Sequence, residues 1–348
     1  MSAVAAAPTP AFVGDLLTYR DAVIGEMRAI IAEKGFDDVL SQRLADYPLR
    51  AGKGLRPALC LATCQAYGGG APHALPTAVA LELFHNAFLV HDDVEDESLH
   101  RRGAPTMHQD WGIAIAVNVG DALNVLAMTP LLRNLEVVGL EKTLRIFREI
   151  EQMARESVEG QAMELEWVRA NTWELRDAHY FRMTSKKTCW YTTIAPCRLG
   201  ALVGGPLEVD LEPWIHFGYQ LGVAFQIQDD LLNLVGEEER YGKETAGDIW
   251  EGKRTLMLIQ LLQRARGRER QRVLRIMGTP RARKTQQDVD FVLAAMERHG
   301  ALDHARTISR DFAREARTAL ASITATLPAS SHLDFLESMI DYVIHRDL

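Results

Sequence analysis

One short segment, LGVAFQIQDDLLNLV at residues 221–235, places the strongest limit on how this chain can fold. Its polar side chains recur at i, i+3, i+4 and i+7, so a helix would carry them as one stripe on an apolar surface: Gln226, Asp229, Asp230 and Asn233. Burying ionised carboxylates costs on the order of several kcal/mol unless they are paired or metal-bound. The segment therefore predicts a mostly buried helix whose aspartates face cations inside a helical protein.

Helical periodicity continues along nearly the whole sequence, interrupted mainly by glycine and proline clusters such as 68–70 and 204–206. Alternating β-branched runs between turn pairs, which would predict strands, are scarce. The chain has 348 residues, of which 47% are hydrophobic, enough to bury a large core. We therefore expect an all-α protein, one large helical bundle spanning residues 1–348. The Ala/Pro-rich residues 1–12 are expected to be disordered.

The formal net charge of −8 argues against a nucleic-acid-binding surface. The four cysteines form no CxxC pair and have no histidines at zinc-finger spacing, which predicts reduced core thiols. The N-terminus lacks the basic region of a signal peptide, and no uninterrupted apolar run reaches the roughly 18 residues of a membrane span. A cytoplasmic protein without stable membrane insertion is expected.

A second acidic cluster ends the apolar segment LELFHNAFLVHDDVED, residues 81–96. Asp92 and Asp96 are four residues apart, so a helix would place both carboxylates on one face. Like charges at that spacing repel unless a hard divalent cation such as Mg²⁺ binds them. A solvated acidic helix end is the alternative interpretation. Two such helices facing each other would form an acidic mouth above an apolar cavity, which suits a molecule with a charged head and an apolar tail.

Basic residues flank both acidic clusters, although the chain as a whole is acidic. They occur in AGKGLRP, RRG, SKKTCWY and YGKETAGDIWEGKRT, and comprise Lys53, Arg56, Arg101, Arg102, Lys187, Lys243 and Lys253. Any one of them alone is most simply a solvated side chain. Their grouping around two aspartate pairs indicates a site for anionic substrates.

These segments together resemble the polyprenyl synthetase family, the trans-isoprenyl diphosphate synthases. AGKGLRP is similar to the family's GKxxRP segment, and HDDVEDESLHRRG to its first aspartate-rich motif with paired arginines. GQAMELEW, the KT pair, FQIQDDLLN and the lysine-bearing loop follow in the family's order, so that the resemblance covers residues 52–255. It implies an isoprenoid synthase-type bundle with a central active-site cavity. It also implies a prenyltransferase that joins isopentenyl diphosphate to an allylic diphosphate.

The resemblance also implies roles for individual residues. Three Mg²⁺ ions would be held by carboxylates: Asp92, Asp93, Asp96, Asp229 and Asp230. The allylic diphosphate would be contacted by basic side chains: Arg101, Lys187, Lys253 and, with less support, Lys243. Isopentenyl diphosphate would be held by Lys53, Arg56, His85 and Arg102. Oxygen dipoles near the allylic cation would come from Thr188 and Gln226. The residues expected to act in catalysis are Asp92, Asp96, Asp229, Lys187, Lys253 and Gln226.

The sequence departs from the family pattern at two positions. Asn233 replaces the last aspartate of the second motif, as in some geranylgeranyl diphosphate synthases, and is expected to weaken metal binding without abolishing it. Gly54 stands where an arginine is common, which leaves one fewer cation for isopentenyl diphosphate.

Product length is expected to depend on side chains that precede the first aspartate motif. A helix rises about 1.5 Å per residue, which places Phe88 roughly 6 Å and Phe84 roughly 12 Å below Asp92. Small Ala87 would open the pocket, whereas Phe84 would form its floor. We expect geranylgeranyl diphosphate first and farnesyl diphosphate second, from a homodimer as the family implies.

Two other functions fit parts of the sequence. A terpene cyclase of the same fold would ionise a similar substrate, but the basic residues for a second diphosphate and the DDxxN form of the second motif argue against it. A non-catalytic subunit that tunes product length would be expected to lose its aspartate pairs, and this chain keeps both.

Overall fold

The computed structural model describes residues 10–50, 52–236 and 245–345, and helices make up nearly all of their regular structure. The all-α prediction is confirmed. The first helices are α1 (Pro10–Glu33), α2 (Asp38–Leu49), α3 (Leu55–Ala66), α4 (Ala71–Glu95), α5 (Met107–Trp111), α6 (Ile113–Val137) and α7 (Gly139–Arg169). The later helices are α8 (Asp177–Thr184), α9 (Ala195–Gly204), α10 (Pro213–Val235), α11 (Gly247–Glu251), α12 (Leu256–Arg264), α13 (Gly267–Met277), α14 (Gln286–Arg298), α15 (Ala301–Thr324) and α16 (Ser331–His345).

A short β-hairpin follows the first aspartate motif. Its strands, β1 (His100–Arg101) and β2 (Ala104–Pro105), pair antiparallel. The two turn residues, Arg102 and Gly103, both have positive φ, 55° and 74°, as a two-residue hairpin turn of the I′ type requires. Two-residue strands are too short to produce an alternating pattern, which is why the sequence did not predict them.

The helices enclose two groups of buried apolar side chains. One group is built mainly on α1, α3, α4, α6 and α9. The other is built on α10 and α12 to α15. Helix α4 packs along α6, whereas α10 packs along α15. A cavity of about 780 Å³ is lined by residues from α4, α6, α7 and α10, which agrees with the predicted central cavity.

A π-helix, Ser185–Ile194, lies between α7 and α10 and carries three of the cavity-lining residues. Glycines make this close packing possible on both sides. A Cβ added to Gly160 of α7 would lie 2.1 Å from the backbone nitrogen of Lys187. A Cβ added to Gly218 of α10 would lie 2.7 Å from Cα of Ile194. The glycine of the GQ segment therefore sets how closely α7 approaches the lysine-bearing π-helix.

The N-terminal helix corrects one expectation. Helix α1 begins at Pro10, and Phe12 is buried with its ring stacked 4.9 Å from that of Phe335, so residues 10–12 are ordered. Residues 1–9 lie outside the described residues. The four cysteines are free and buried, as predicted. Helix α6 is long and apolar enough to cross a membrane by length and composition, although 44% of its most apolar window is buried in the protein.

Candidate active site

The two aspartate clusters meet at the cavity, each with a lysine against it. Asp92 on α4 and Asp229 on α10 both line the cavity. Asp92 accepts a hydrogen bond from Lys187 Nζ at 3.1 Å. Asp96, which caps the end of α4, lies 2.6 Å from Lys253 Nζ. The fold thus brings together carboxylates and lysines that are distant in sequence.

Both lysines are surrounded by carboxylates. Lys187 contacts Glu164 of α7 as well as Asp92. Lys253 lies 2.9 Å from Glu251 and 3.9 Å from Asp248, in addition to Asp96. Burial alone would lower the pKa of each lysine, but the neighbouring carboxylates outweigh it and raise both pKa values above the ordinary range. Both amines are therefore charged at neutral pH.

Asp93 occupies a different environment from Asp92, although the two are adjacent in sequence. Its carboxylate accepts hydrogen bonds from Tyr47 Oη at 2.7 Å and from Arg101 Nε at 3.0 Å, and it is 1% exposed. Asp93 does not line the cavity, whereas Arg101 does. This environment differs from the one expected for a residue that helps to hold Mg²⁺. Both its oxygens are engaged in fixing Arg101 and α2.

A chain of hydrogen bonds fixes the second motif. Thr188 Oγ1 donates to Gln226 Oε1 at 2.7 Å, and Gln226 Nε2 donates to Asp230 at 2.7 Å. Tyr180 Oη donates to the other oxygen of Asp230 at 2.8 Å. Burial raises the pKa of Asp230, while Gln226 and Tyr180 oppose that rise. Asp230 lines the cavity beside Asp229, and both of its carboxylate oxygens accept hydrogen bonds from the protein.

Asn233 serves a structural purpose. Its Oδ1 accepts a hydrogen bond from the backbone nitrogen of Asp248 at 3.0 Å, and its carbonyl accepts one from Ala246 at 2.7 Å. These bonds hold the start of α11, whose Asp248 faces the cavity. Asn233 itself is 5% exposed and does not line the cavity. The expectation that it is a weakened metal ligand is therefore replaced by a capping role.

The carboxylates at the cavity suit Mg²⁺ rather than a metal that takes all of its ligands from protein side chains. In residues 10–50, 52–236 and 245–345 no group of three or more His, Cys, Asp or Glu side chains could hold an ion by itself. Mg²⁺ keeps several waters and is usually bound by one or two carboxylates together with substrate phosphates. Asp92 and Asp229, on opposite helices of the cavity, fit that pattern.

The basic residues of the first motifs form a second cluster on the same cavity, which is lined by Lys53, Arg56, His85 and Arg102. Arg56 is 8% exposed and donates to Thr192 Oγ1 at 2.8 Å. Arg102 is held by the backbone carbonyls of Tyr47 and Arg50. Gly54, beside this cluster, has φ +66°, a left-handed conformation that favours glycine.

His85 offers this cluster a neutral polar group. Its Nε2 lies 3.2 Å from Arg56 Nη1, and its Nδ1 is buried with no hydrogen-bond partner within the described chain. Burial lowers the pKa of His85, and the charges of Arg56 and Arg102 lower it further. The ring is therefore neutral and has one nitrogen available to a ligand. Glu82, one turn earlier, is also buried here and was not predicted.

The three residues predicted to set product length do not all reach the cavity. Phe88 lines it, together with Leu89 of α4 and Val158 of α7. Phe84 is 7% exposed and lies behind Phe88, with ring centroids 6.4 Å apart. Ala87 is fully buried in the core and is not among the lining residues. This placement moves the expected floor of the cavity from Phe84 to Phe88.

Lys243 lies outside the described residues. Several further acidic residues lie at the site: Glu95, Glu164, Asp248 and Glu251. Glu95 accepts a hydrogen bond from Gln161 of the GQ segment at 2.6 Å. For Glu251 the sequence did offer a signal, because it stands two residues before the predicted Lys253.

Comparison with known proteins agrees with this geometry. A family model described as polyprenyl synthetase matches residues 38–296. A short chain isoprenyl diphosphate synthase from Methanothermobacter thermautotrophicus is 31% identical over 296 residues, which cover 85% of this chain and 87% of that protein.

Solved structures show the same fold. The geranylgeranyl pyrophosphate synthetase of Pyrococcus horikoshii superposes with a TM-score of 0.83 at 30% identity, covering 97% of this chain and 99% of that one. A polyprenyl synthase from Caulobacter crescentus, complexed with calcium and isoprenyl diphosphate, has a TM-score of 0.82 at 30% identity and covers 95% of this chain and 97% of its own.

Proposed function

Because this chain belongs to the polyprenyl synthetase family, we propose that it condenses isopentenyl diphosphate with an allylic diphosphate to form geranylgeranyl diphosphate. One observation carries the proposal. A single cavity of about 780 Å³ is lined by two aspartate-bearing helices and by a separate basic cluster, so it offers places for two diphosphates. Bound Mg²⁺, for which we propose three ions, would act as a Lewis acid that stabilises charge on the departing diphosphate.

The first diphosphate belongs at the aspartate side of the cavity. Asp92, Asp96 and Asp229 would hold the metal ions. Lys187 lies against Asp92 and Lys253 against Asp96, and both amines are charged. When metal replaces the lysines on the aspartates, the amines become available to the diphosphate oxygens. Arg101, fixed by Asp93, completes the positive side of the leaving-group site.

The second diphosphate, that of isopentenyl diphosphate, belongs at the basic cluster. Lys53, Arg56 and Arg102 supply charge, and His85 has a free buried Nδ1 to donate or accept a hydrogen bond. This arrangement would hold the double bond of isopentenyl diphosphate facing the allylic carbon. Attack forms the new carbon–carbon bond as the allylic carbon–oxygen bond breaks, and the released diphosphate takes the proton.

The carbocation formed in this reaction must be kept from water. Phe88, Leu89 and Tyr191 supply apolar and aromatic walls on the tail side of the cavity. Gln226 and Thr188, which are hydrogen-bonded to each other, would supply oxygen dipoles to the allylic cation. These contacts support a cavity in which the tail of a twenty-carbon product is enclosed below the aspartates.

We infer that the working form is a cytoplasmic homodimer. Helices α6 and α7 expose large apolar side chains, among them Val125 at 70%, Leu140 at 65% and Val158 at 61%. Apolar patches of this kind usually mark an interaction surface. Sedimentation of the purified protein should give twice the 38.9 kDa mass of the chain.

The function is tested by incubating the protein with Mg²⁺, labelled isopentenyl diphosphate and each allylic primer in turn, followed by analysis of product length. Geranylgeranyl diphosphate should predominate, and no product should form without a primer. Conversion of the allylic diphosphate alone to a hydrocarbon would instead indicate a terpene cyclase.

A further inference from the structure

Glu251, at the end of α11, connects two parts of the molecule that flank the cavity. Its carboxylate accepts a hydrogen bond from Ser98 Oγ at 2.8 Å and lies 2.9 Å from Lys253 Nζ. Arg281 Nη1 is 3.8 Å away. The carboxylate side chain is 10% exposed. Ser98 follows the first aspartate motif, so this contact joins segments 153 residues apart in sequence.

Ser98 is held firmly enough to orient a partner. Its backbone nitrogen donates to the carbonyl of Asp93 at 3.0 Å, and its own carbonyl accepts a hydrogen bond from Thr106 Oγ1 at 2.7 Å. Both Ser98 and Thr106 are buried. The hydroxyl of Ser98 therefore projects from a fixed turn, and a carboxylate bonded to it is fixed as well.

Two carboxylates lie close to Lys253, and we expect metal binding to affect them differently. Asp96, at 2.6 Å, is a proposed metal ligand and must release the lysine when metal binds. Glu251, 2.9 Å from the same amine, does not line the cavity. We propose that Glu251 is a positioning residue, fixed by Ser98, that holds the Lys253 amine at the cavity while Asp96 turns to the metal. This inference rests on the proposed function for the role of Lys253, but the contact itself does not.

Two substitutions separate the charge from the hydrogen bond. Glu251→Gln keeps an oxygen that accepts from Ser98 but removes the charge beside Lys253. Lys253 then pairs more strongly with Asp96, so the Mg²⁺ concentration for half-maximal activity should rise about five- to tenfold, with a smaller change in the maximal rate. Ser98→Ala keeps the charge and removes the hydrogen bond.

The hydrogen bond is tested without metal or substrate. In the metal-free protein, amide hydrogen exchange of residues 247–255 should be about tenfold faster in Ser98→Ala than in the unchanged protein, because local opening becomes easier. Ser98→Thr retains the hydroxyl and should restore slow exchange. Glu97→Gln, an exposed neighbour, is the matched control and should change neither exchange nor metal dependence.

The two results are independent of each other. Unchanged exchange in Ser98→Ala would show that this bond does not fix the segment. Unchanged Mg²⁺ dependence in Glu251→Gln would show that Glu251 does not position Lys253, and either result overturns the inference. If the unchanged protein made no prenyl product, the proposed function would fail, while the exchange experiment would still decide whether Ser98 and Glu251 hold the two segments together.

Discussion

Asp92 and Asp93 are neighbours in the chain, yet they face opposite surroundings. Asp92 lines the cavity and pairs with Lys187. Asp93 is buried against Tyr47 and Arg101 and does not reach the cavity. A helix turns about 100° per residue, so adjacent side chains necessarily diverge. We therefore predict that Asp92 takes part in the reaction and that Asp93 stabilises the fold.

Alanine substitution should separate these roles. Asp92→Ala should reduce turnover about 100- to 1000-fold, the usual effect of losing one strong electrostatic contact to a transition state, with little loss of stability. Asp93→Ala leaves Arg101 buried without its main partner and should lower the free energy of unfolding by about 3 to 5 kcal/mol. Chemical denaturation measures the free energy of unfolding of each variant, and steady-state kinetics measures its turnover. Equal stability of the two variants would contradict the assignment.

The hydrogen bond of Asn233 to α11 leads to a prediction opposite to the one that follows from its place in the second aspartate motif. Asn233→Asp should leave the Mg²⁺ dependence of activity within about twofold, because the side chain faces the backbone of α11. Asn233→Ala should cost about 1 kcal/mol of unfolding free energy, the usual loss for a helix cap. Metal titration of activity and thermal unfolding are the measurements. A clear tightening of metal binding in Asn233→Asp would return this residue to the metal site.

For individual residues, the sequence located the motifs but could not assign a role to every side chain within them. The helical spacing of the acidic and polar residues identified both aspartate-bearing helices. Asp93 and Asp230 are held by the hydroxyls of Tyr47 and Tyr180, which lie 46 and 50 residues away in sequence. Glu82 and Glu251 were missed for the same reason, because a lone glutamate in a helix gives no pattern until its partners are known.

Among the elements, the π-helix Ser185–Ile194 has the tightest packing around the site. It is held between α7 and α10 where glycines allow backbones to approach, and it carries Lys187, Thr188 and Tyr191 into the cavity. The sequence predicted the residues but not this conformation, since a segment of 10 residues is too short for a π-helical period to be distinguished from an α-helical one.

Gly160→Ala should therefore disturb the site, although Gly160 is not one of the residues that line the cavity. The added methyl group would meet the backbone of Lys187, so the free energy of unfolding should fall by about 1 to 3 kcal/mol and turnover should fall as Lys187 shifts. Gly14→Ala is the control, because no atom lies within 4 Å of the new Cβ on exposed α1. That variant should gain about 0.5 to 1 kcal/mol. Similar behaviour of the two variants would contradict the packing argument.

The placement of α4 side chains also changes the product-length prediction. Phe88→Ala should lengthen the product, because it enlarges the cavity directly. Phe84→Ala alone should have a smaller effect, and Ala87→Phe should overpack the core and destabilise by about 1 to 3 kcal/mol. Chromatography of dephosphorylated products gives the length distribution. Longer products from Phe84→Ala but not from Phe88→Ala would restore Phe84 as the floor.

For the whole molecule, the proposed function implies that the lysine–carboxylate pairs couple the binding of metal to the binding of diphosphate. Mg²⁺ alone must displace a charged lysine, and a diphosphate alone must approach carboxylates. When both bind, Mg²⁺ replaces the lysines on the carboxylates, and the diphosphate replaces the carboxylates on the lysines. A non-reactive allylic thiolodiphosphate with Mg²⁺ should therefore raise the melting temperature by more than the sum of the two separate shifts. Additive shifts in thermal unfolding would show that the two bind independently.

The global fold followed from sequence more readily than the site did. Helical period and the absence of strand patterns were sufficient for an all-α bundle, since helices are defined by local spacing. The order of packing, in which α4 lies along α6 and α10 along α15, depends on contacts between distant residues and was not predictable from local patterns.

Val158 has one further consequence. It lines the cavity and is 61% exposed, on one of the two helices that carry the exposed apolar side chains. Under the proposed dimer, a second copy that packs on α7 would cover Val158 and close the cavity at that side chain. The length of the hydrocarbon made would then depend on how concentrated the protein is. Dilution below the dissociation constant of the dimer would uncover Val158 and broaden the mixture of chain lengths.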